Sequence, residues 1–395
     1  MRVRRVTDDE RRARLAVRHH LAPRAHVADV VRLAGDLVGL HGSDPATVFL
    51  SAAARLRKPA GAVTALEHAL YDERTLVRTL CMRRTMFVVP LEVVPIVQAA
   101  CTDPLVPGER KRLVRLIEDH GVARDGARWL RKVEAKTLAE LEARGEATGS
   151  ELSKAVPELR VQLSFGEGKR WAGTVGMTTR VLFLLSTEQR VARGRPKGSW
   201  TSSQFRWSPI EAWLPGGVPS MAADAARAEL VRRWLAAFGP ATTADVKWWT
   251  GWTVAQTKAA LASVRAVEVE LEAGAGWVLP GDDGPARAPA PWVSLLPALD
   301  PTAMGWRERG WYLGEHGRSL FDTNGNAGPT VWVDGRVVGG WTQRRSGEIA
   351  HRLLEDVGRD AVAAIETVAD QLESRLRDVR VTPRFPTPLQ RTLSS

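Results

Sequence analysis

The chain of 395 residues has only two cysteines, Cys81 and Cys101. Both sit beside apolar neighbours with no histidine or further cysteine at metal-ligand spacing. That excludes a disulfide framework and a zinc site, and it fits a reducing, cytoplasmic location. Long apolar runs are also missing: the longest, such as VLFLL at 181–185, are far shorter than the roughly 20 residues a bilayer-spanning helix requires. The N-terminus, MRVRRVTDDERR, has charges but no apolar stretch after them, so neither a secretion signal nor a membrane anchor is expected.

Signatures of metal, nucleotide and acyl-transfer chemistry are absent too. There is no His-Glu-X-X-His, no Gly-X-Ser-X-Gly, no dinucleotide fingerprint, and no His-X-Glu with Pro-Cys-X-X-Cys. The run FGEGKRW approaches a phosphate-binding loop at Gly168-Lys169, but Leu163 stands where the first glycine belongs and Arg170 where a hydroxyl residue belongs. A protein without metal or cofactor is expected.

What the chain has in excess is positive charge. Its net charge is +11 and its isoelectric point about 10.3, with arginine supplying most of the cations. Such a field attracts polyanions, nucleic acid or an anionic membrane, and guanidinium groups grip phosphates in a planar, two-pronged way. With 44% hydrophobic residues the chain can bury a sizeable core spread over two to four domains.

Along the chain, helices and basic hairpins alternate. Thr7 is placed to cap a helix over 7–20, with acids in its first turn and bases later. Helical spacing recurs at 25–38, 46–56 and 62–72. The stretch 75–90 then turns to β-formers around Arg83 and Arg84, a strand, turn and strand. A second block over 127–213 repeats the order: helices at 127–144, from Gly149 or Ser150, and near 174–188, then a basic hairpin in GRPKGSWTSSQFRW.

The third block is the clearest. One helix ends at Gly239-Pro240, a second starts at Thr242 and a third at Thr253, and two alternating strands follow in AVEVELEAGAGWVL. After a Pro- and Gly-rich break at 280–291, short apolar runs over 292–344 predict a small β-barrel or twisted sheet, with a helix at 359–377 closing the chain. The expected fold is therefore α+β, mainly α: tandem winged-helix repeats over 1–100, 101–218 and 219–283, then a C-terminal barrel over 284–395.

Several segments resemble the AlkZ/YcaQ-type DNA glycosylases, a winged-helix DNA-binding family, and the resemblance covers nearly the whole chain. They are GLHGSDPATVFLSAAARL at 39–56, MRRTMFVVP at 82–90, GRPKGSWTSSQFRWSPIEAWLPGG at 194–217, FGPATTADVKWWTGW at 238–252 and LLPALDPTAMGWRER at 295–309. The family carries Gln, an apolar residue, then Gln or Asp in the loop after its second helix, where the side chains place water at the sugar of an alkylated purine nucleotide. The matching residues here are His41, Gly42 and Ser43, with Asp44 one position further. A family Arg-X-Thr-X-His stretch is matched by Arg83, Thr85 and Phe87, the last replacing the histidine.

The resemblance implies hydrolysis of an N-glycosidic bond in double-stranded, alkylated DNA by a monomer. A base alkylated at N7 or N3 is cationic and departs through an oxocarbenium-like state. His41 would orient or deprotonate water, Ser43 hold it, and Asp44 offset the cationic sugar. Two structural alternatives stand beside these roles: His41 packing near the loop, and Asp44 simply capping the helix that starts near Ala46.

Arg83, Arg84 and Thr85, and Arg193, Arg195 and Lys197 of the second hairpin, are the expected DNA contacts, although a basic hairpin is also an ordinary solvated turn. Trp248, Trp249 and Trp252 read as core. A non-catalytic DNA-binding protein or regulator, and a binder that sequesters a DNA-reactive metabolite, are the competing functions.

Overall fold

Helix starts follow the side chains able to satisfy the orphan amides of the first turn. In the computed structural model, which describes residues 3–165 and 173–394, Thr7 accepts from Glu10 N at the head of helix Asp8–Arg18. Thr148, Thr242 and Thr253 close capping boxes on helices Gly149–Ala155, Thr243–Thr250 and Val254–Ser263. The segment expected as one helix over 25–38 is α-helical only over Val30–Asp36, because the Asp29 carboxylate takes the N-cap by accepting from Val31 N. Most of the FGEGKRW run, residues 166–171, lies outside the described residues.

One strand arrangement recurs three times. A two-residue strand leads into a helix and pairs antiparallel with the second strand of a hairpin. Leu40–His41 joins Met86–Pro90 beside Leu76–Leu80. Ala147–Thr148 joins Phe205–Pro209 beside Val191–Pro196. Ala241–Thr242 joins Gly274–Val278 beside Val267–Leu271. Strand Arg4–Arg5 adds to the last of these in parallel, tying the start of the described chain to its third block. Helix Val106–Asp119, which lacks a side-chain cap, and hairpin Gln162–Phe165 with Gly173–Gly176 lie outside the sequence expectation.

The C-terminal sheet is open, a correction to the expected barrel. Its strands Val293–Leu296, Thr330–Val333, Arg336–Gln343 and Ile349–Leu353 lie in sequence order, so the first and last remain edges. Four strands enclose too little volume to close on themselves. Their apolar face is covered instead by helix Arg359–Leu376, whose Ile365, Ala369 and Leu372 pack with Leu295, Val331 and Trp341.

Helix Pro45–Ala53 is the element on which the site depends. Val48, Phe49 and Ala52 belong to the core of the first block, while Leu50 on the opposite side joins the core of the C-terminal sheet. The two parts are also joined by a fully buried, two-pronged ion pair, Arg55 Nη1 to Asp300 Oδ2 at 2.8 Å and Nη2 to Oδ1 at 2.6 Å. Ser51 donates to the same carboxylate, which satisfies a charge that would otherwise be strongly penalised.

Candidate active site and nucleic-acid interface

Residues 39–44 cross from helix Val30–Asp36 to helix Pro45–Ala53. Gly39 has φ +117°, and a Cβ there would stand 2.9 Å from Val89 Cγ1, so only glycine fits. Leu40 pairs with Val88 and His41 with Phe87, and the strand's alternation sends Leu40 into the first core and His41 to the other face. Gly42 N donates to Met86 O at 2.7 Å. Its own carbonyl accepts from Arg78 Nη1 at 2.7 Å, and Arg78 is fully buried. Asp44 caps the following helix, accepting from Ala46 N at 3.0 Å, and its second oxygen accepts from Arg384 N at 3.2 Å.

His41 is 4% exposed and stands 5.2 Å, ring to ring, from Phe87. Its Nδ1 is enclosed without a hydrogen-bond partner. Burial, with the charge of Arg83 in addition, pushes the imidazole down to about 3, so it is neutral at physiological pH. The ring forms one wall of a cleft of about 370 Å³ that also receives Ser43, Arg83, Thr85, Trp248, Arg307, Arg309 and Phe385.

Two features make this cleft cationic. Arg83 and Arg309 both lie over the Trp248 ring, at 3.8 and 4.9 Å from its centroid, and burial together with the charge of Arg309 lowers Arg83 to about 10. Among the described residues, neither guanidinium meets a carboxylate at ion-pair distance. Arg83 and Arg84 also occupy left-handed backbone conformations, φ +51° and +59°, in a turn closed by Thr85 N donating to Met82 O at 3.0 Å. That conformation costs a non-glycine residue about 1–2 kcal/mol.

Ser43 is shared with a second, larger cleft of about 780 Å³ lined by Arg193, Lys197, Gln204, Arg206 and Arg384. Burial, then the charges of Arg78 and Arg384, lower Arg193 to about 10. Its guanidinium lies over Trp207 at 5.1 Å, and no described carboxylate neutralises Arg193, Lys197 or Arg384.

The expected site residues therefore separate into groups. His41, Ser43, Arg83 and Thr85 meet in the first cleft, and Ser43, Arg193 and Lys197 in the second. Asp44 faces a small cavity of about 20 Å³ behind the loop, with Thr47, Trp341 and Pro383. Arg84 is paired with Glu109 at 2.7 Å, and Arg195 with Asp72 at 2.8 Å. Trp249 and Trp252 are core as expected, whereas half-buried Trp248 lines the first cleft.

Arg307, Arg309, Arg384 and Phe385 escaped the sequence reading. The backbone at Arg307 is held by Asp245, a fully buried cap that also accepts from Arg307 N at 2.9 Å and Glu308 N at 2.8 Å, and Arg309 Nε donates to Trp306 O at 2.8 Å. The GWRER run was visible as a basic segment beside tryptophan, but nothing in its spacing pointed toward residue 41. Among the described residues no three His, Cys, Asp or Glu side chains gather as a metal ion would need, and no helix is long and apolar enough to cross a membrane.

The described fold is a mixed helix-and-sheet one with two adjoining clefts rich in guanidinium groups, one of them walled by a neutral imidazole. The chain belongs to the AlkZ-like DNA glycosylase family, whose model matches residues 34–375. Its fold is similar to that of the Streptomyces sahachiroi DNA glycosylase AlkZ, with a TM-score of 0.71 and 20% sequence identity over 96% of this chain and 99% of that one. No curated protein sequence matches it.

Proposed function

We propose that this chain is a monofunctional glycosylase that acts as a cytoplasmic monomer on double-stranded DNA and excises purines alkylated at N7 or N3. The thrice-repeated order of short strand, helices and hairpin supports reading the first three blocks as winged-helix units whose hairpins face the duplex. Two buried free thiols support the reducing setting.

The observation that carries this reading is a neutral imidazole, His41, set into the wall of a cleft in which Arg83 and Arg309 meet no carboxylate at ion-pair distance among the described residues. Those guanidinium groups attract phosphate. The alkylated base leaves with the electron pair of the C1′–N bond, which cancels its positive charge. Water adds to C1′ and gives its proton to solvent.

A group titrating near 3 takes a proton from water poorly, so His41 orients the attacking water by a hydrogen bond and does not ionise it. A neutral ring also does not repel the cationic sugar. Ser43 supplies a second hydrogen bond to that water, and Asp44, engaged as a cap, contributes by fixing the loop.

The test is release of free base from duplex DNA carrying N7-alkylguanine, with His41→Ala alongside. Base release that falls about 100-fold in the variant is expected, the effect of losing one positioned group. No release from several adducts by a protein that still binds duplex DNA would leave a non-catalytic DNA-binding role instead.

A further inference from the structure

We infer that the C-terminal strap, residues 378–387, is a working wall of the substrate site: Phe385 selects the damaged base, while Arg384 positions the 39–44 loop and holds the DNA backbone. The inference rests on the glycosylase reading for what occupies the cleft. The strap lies beyond residues 34–375, the part of the chain that the family model matches.

The strap is fixed at both ends and crosses the loop between them. On one side Val381 N donates to Gln343 Oε1 at 2.8 Å, and Gln343 Nε2 donates to Val379 O at 3.0 Å. On the other, Thr387 N donates to Gln390 Oε1 at 3.3 Å, and Leu389 and Leu393 of helix Pro388–Ser394 are buried. In the middle, Arg384 N donates to Asp44 Oδ2 and Arg384 Nη1 to Ser43 O, both at 3.2 Å.

Adjacent residues then part to the two clefts. Phe385 faces the His41 cleft beside Leu299 and Met304, and Arg384 faces the larger cleft opposite Arg193, with Ser43 common to both. A strand that sets one nucleotide against His41 must carry the neighbouring phosphates over the ridge at Ser43, where Arg384 and Arg193 repel each other until an anion lies between them. A half-buried aromatic ring beside two apolar side chains offers a flat surface for a base.

Binding is measured by fluorescence anisotropy over a salt series, with an undamaged duplex and a duplex carrying a stable 7-deazaguanine bearing a bulky 7-substituent. Arg384→Ala is expected to weaken both complexes about tenfold and to reduce the salt slope by about one, and Arg384→Lys to restore the slope. Phe385→Ala is expected to weaken the substituted complex about tenfold more than the undamaged one, which lowers the preference for the substituted duplex.

Melting temperatures accompany each variant, and Phe385→Leu, which keeps an apolar side chain but no aromatic face, should lose the same preference. Wild-type binding and preference in all of these variants would overturn the assignment, as would a wild type with no preference between the duplexes. A wild type that discriminates but releases no base, with variants behaving as stated, would overturn hydrolysis and leave the strap's role standing.

Discussion

Arg78 and Gly42 are joined by a hydrogen bond of 2.7 Å that runs from a fully buried guanidinium to the backbone carbonyl between His41 and Ser43. Arg78 comes from strand Leu76–Leu80 and lies over Phe205 of the second block at 4.8 Å. A single cation therefore fixes the loop and joins the two blocks that flank it. Burial lowers the pKa of Arg78, countered by the nearby Tyr71 hydroxyl and the Asp44 charge, so the geometry is kept despite a desolvation penalty.

Removing that cation tests the loop's dependence on it. Arg78→Ala leaves the Gly42 carbonyl without its donor, an orphaned acceptor worth about 1–3 kcal/mol, and the cavity adds to this. A lower urea midpoint and slower base release are expected together. Release unchanged in a folded variant would show that the loop holds its shape without Arg78.

His41 gives a pH signature. The unfolded imidazole, near 6.5, binds protons that the folded one, at about 3, refuses, so unfolding takes up protons across this window and stability rises with pH. As pH falls below 6.5 the loss approaches about 1.4 kcal/mol per unit for this group. Buried His19, also held well below its ordinary value, adds to the wild-type slope. His41→Gln should flatten the dependence of melting temperature on pH between 4 and 6.5 and, because an amide also hydrogen-bonds water, retain more base release than His41→Ala.

The buried pair Arg55 and Asp300 joins helix Pro45–Ala53 to the C-terminal part of the chain. Asp300→Ala strands a guanidinium in the core and is expected to cost about 3–5 kcal/mol in urea unfolding. Replacing both residues with apolar ones of similar volume should recover much of the loss. A single variant as stable as the wild type would show that solvent reaches Arg55.

Arginines of one hairpin should behave differently on DNA. Arg193 and Lys197 lack carboxylate partners among the described residues, whereas Arg195 is paired with Asp72 and lies 3.5 Å from Glu67. Arg193→Gln and Lys197→Gln should each lower the salt slope of duplex binding by about one, and Arg195→Gln should change it little. Equal effects from all three would mean that the Arg195 pairs open on binding.

Local signals were legible where a side chain acts on its own backbone. Thr7, Thr242 and Thr253 mark helix starts because a hydroxyl three residues from an amide has one evident partner, whereas the cap at Thr148 was missed in favour of Gly149 or Ser150. Asp44, which the sequence left between capping and catalysis, is a cap in the fold. The barrel misled because short strands look alike whether a sheet closes or is covered by a helix, a choice made by helix Arg359–Leu376.

The sequence by itself determined the cationic character and the alternation of helices and hairpins, since charge, periodicity and capping act over a few residues, and it offered His41 to Asp44 as candidates only through the family resemblance. Only the tertiary structure decided that Trp248, Arg309, Arg384 and Phe385 meet at that stretch, that Arg195 is neutralised, and that His41 is kept uncharged. Desolvation and ion pairing depend on which distant surfaces come together, and no spacing along the chain encodes a contact between residues 43 and 384.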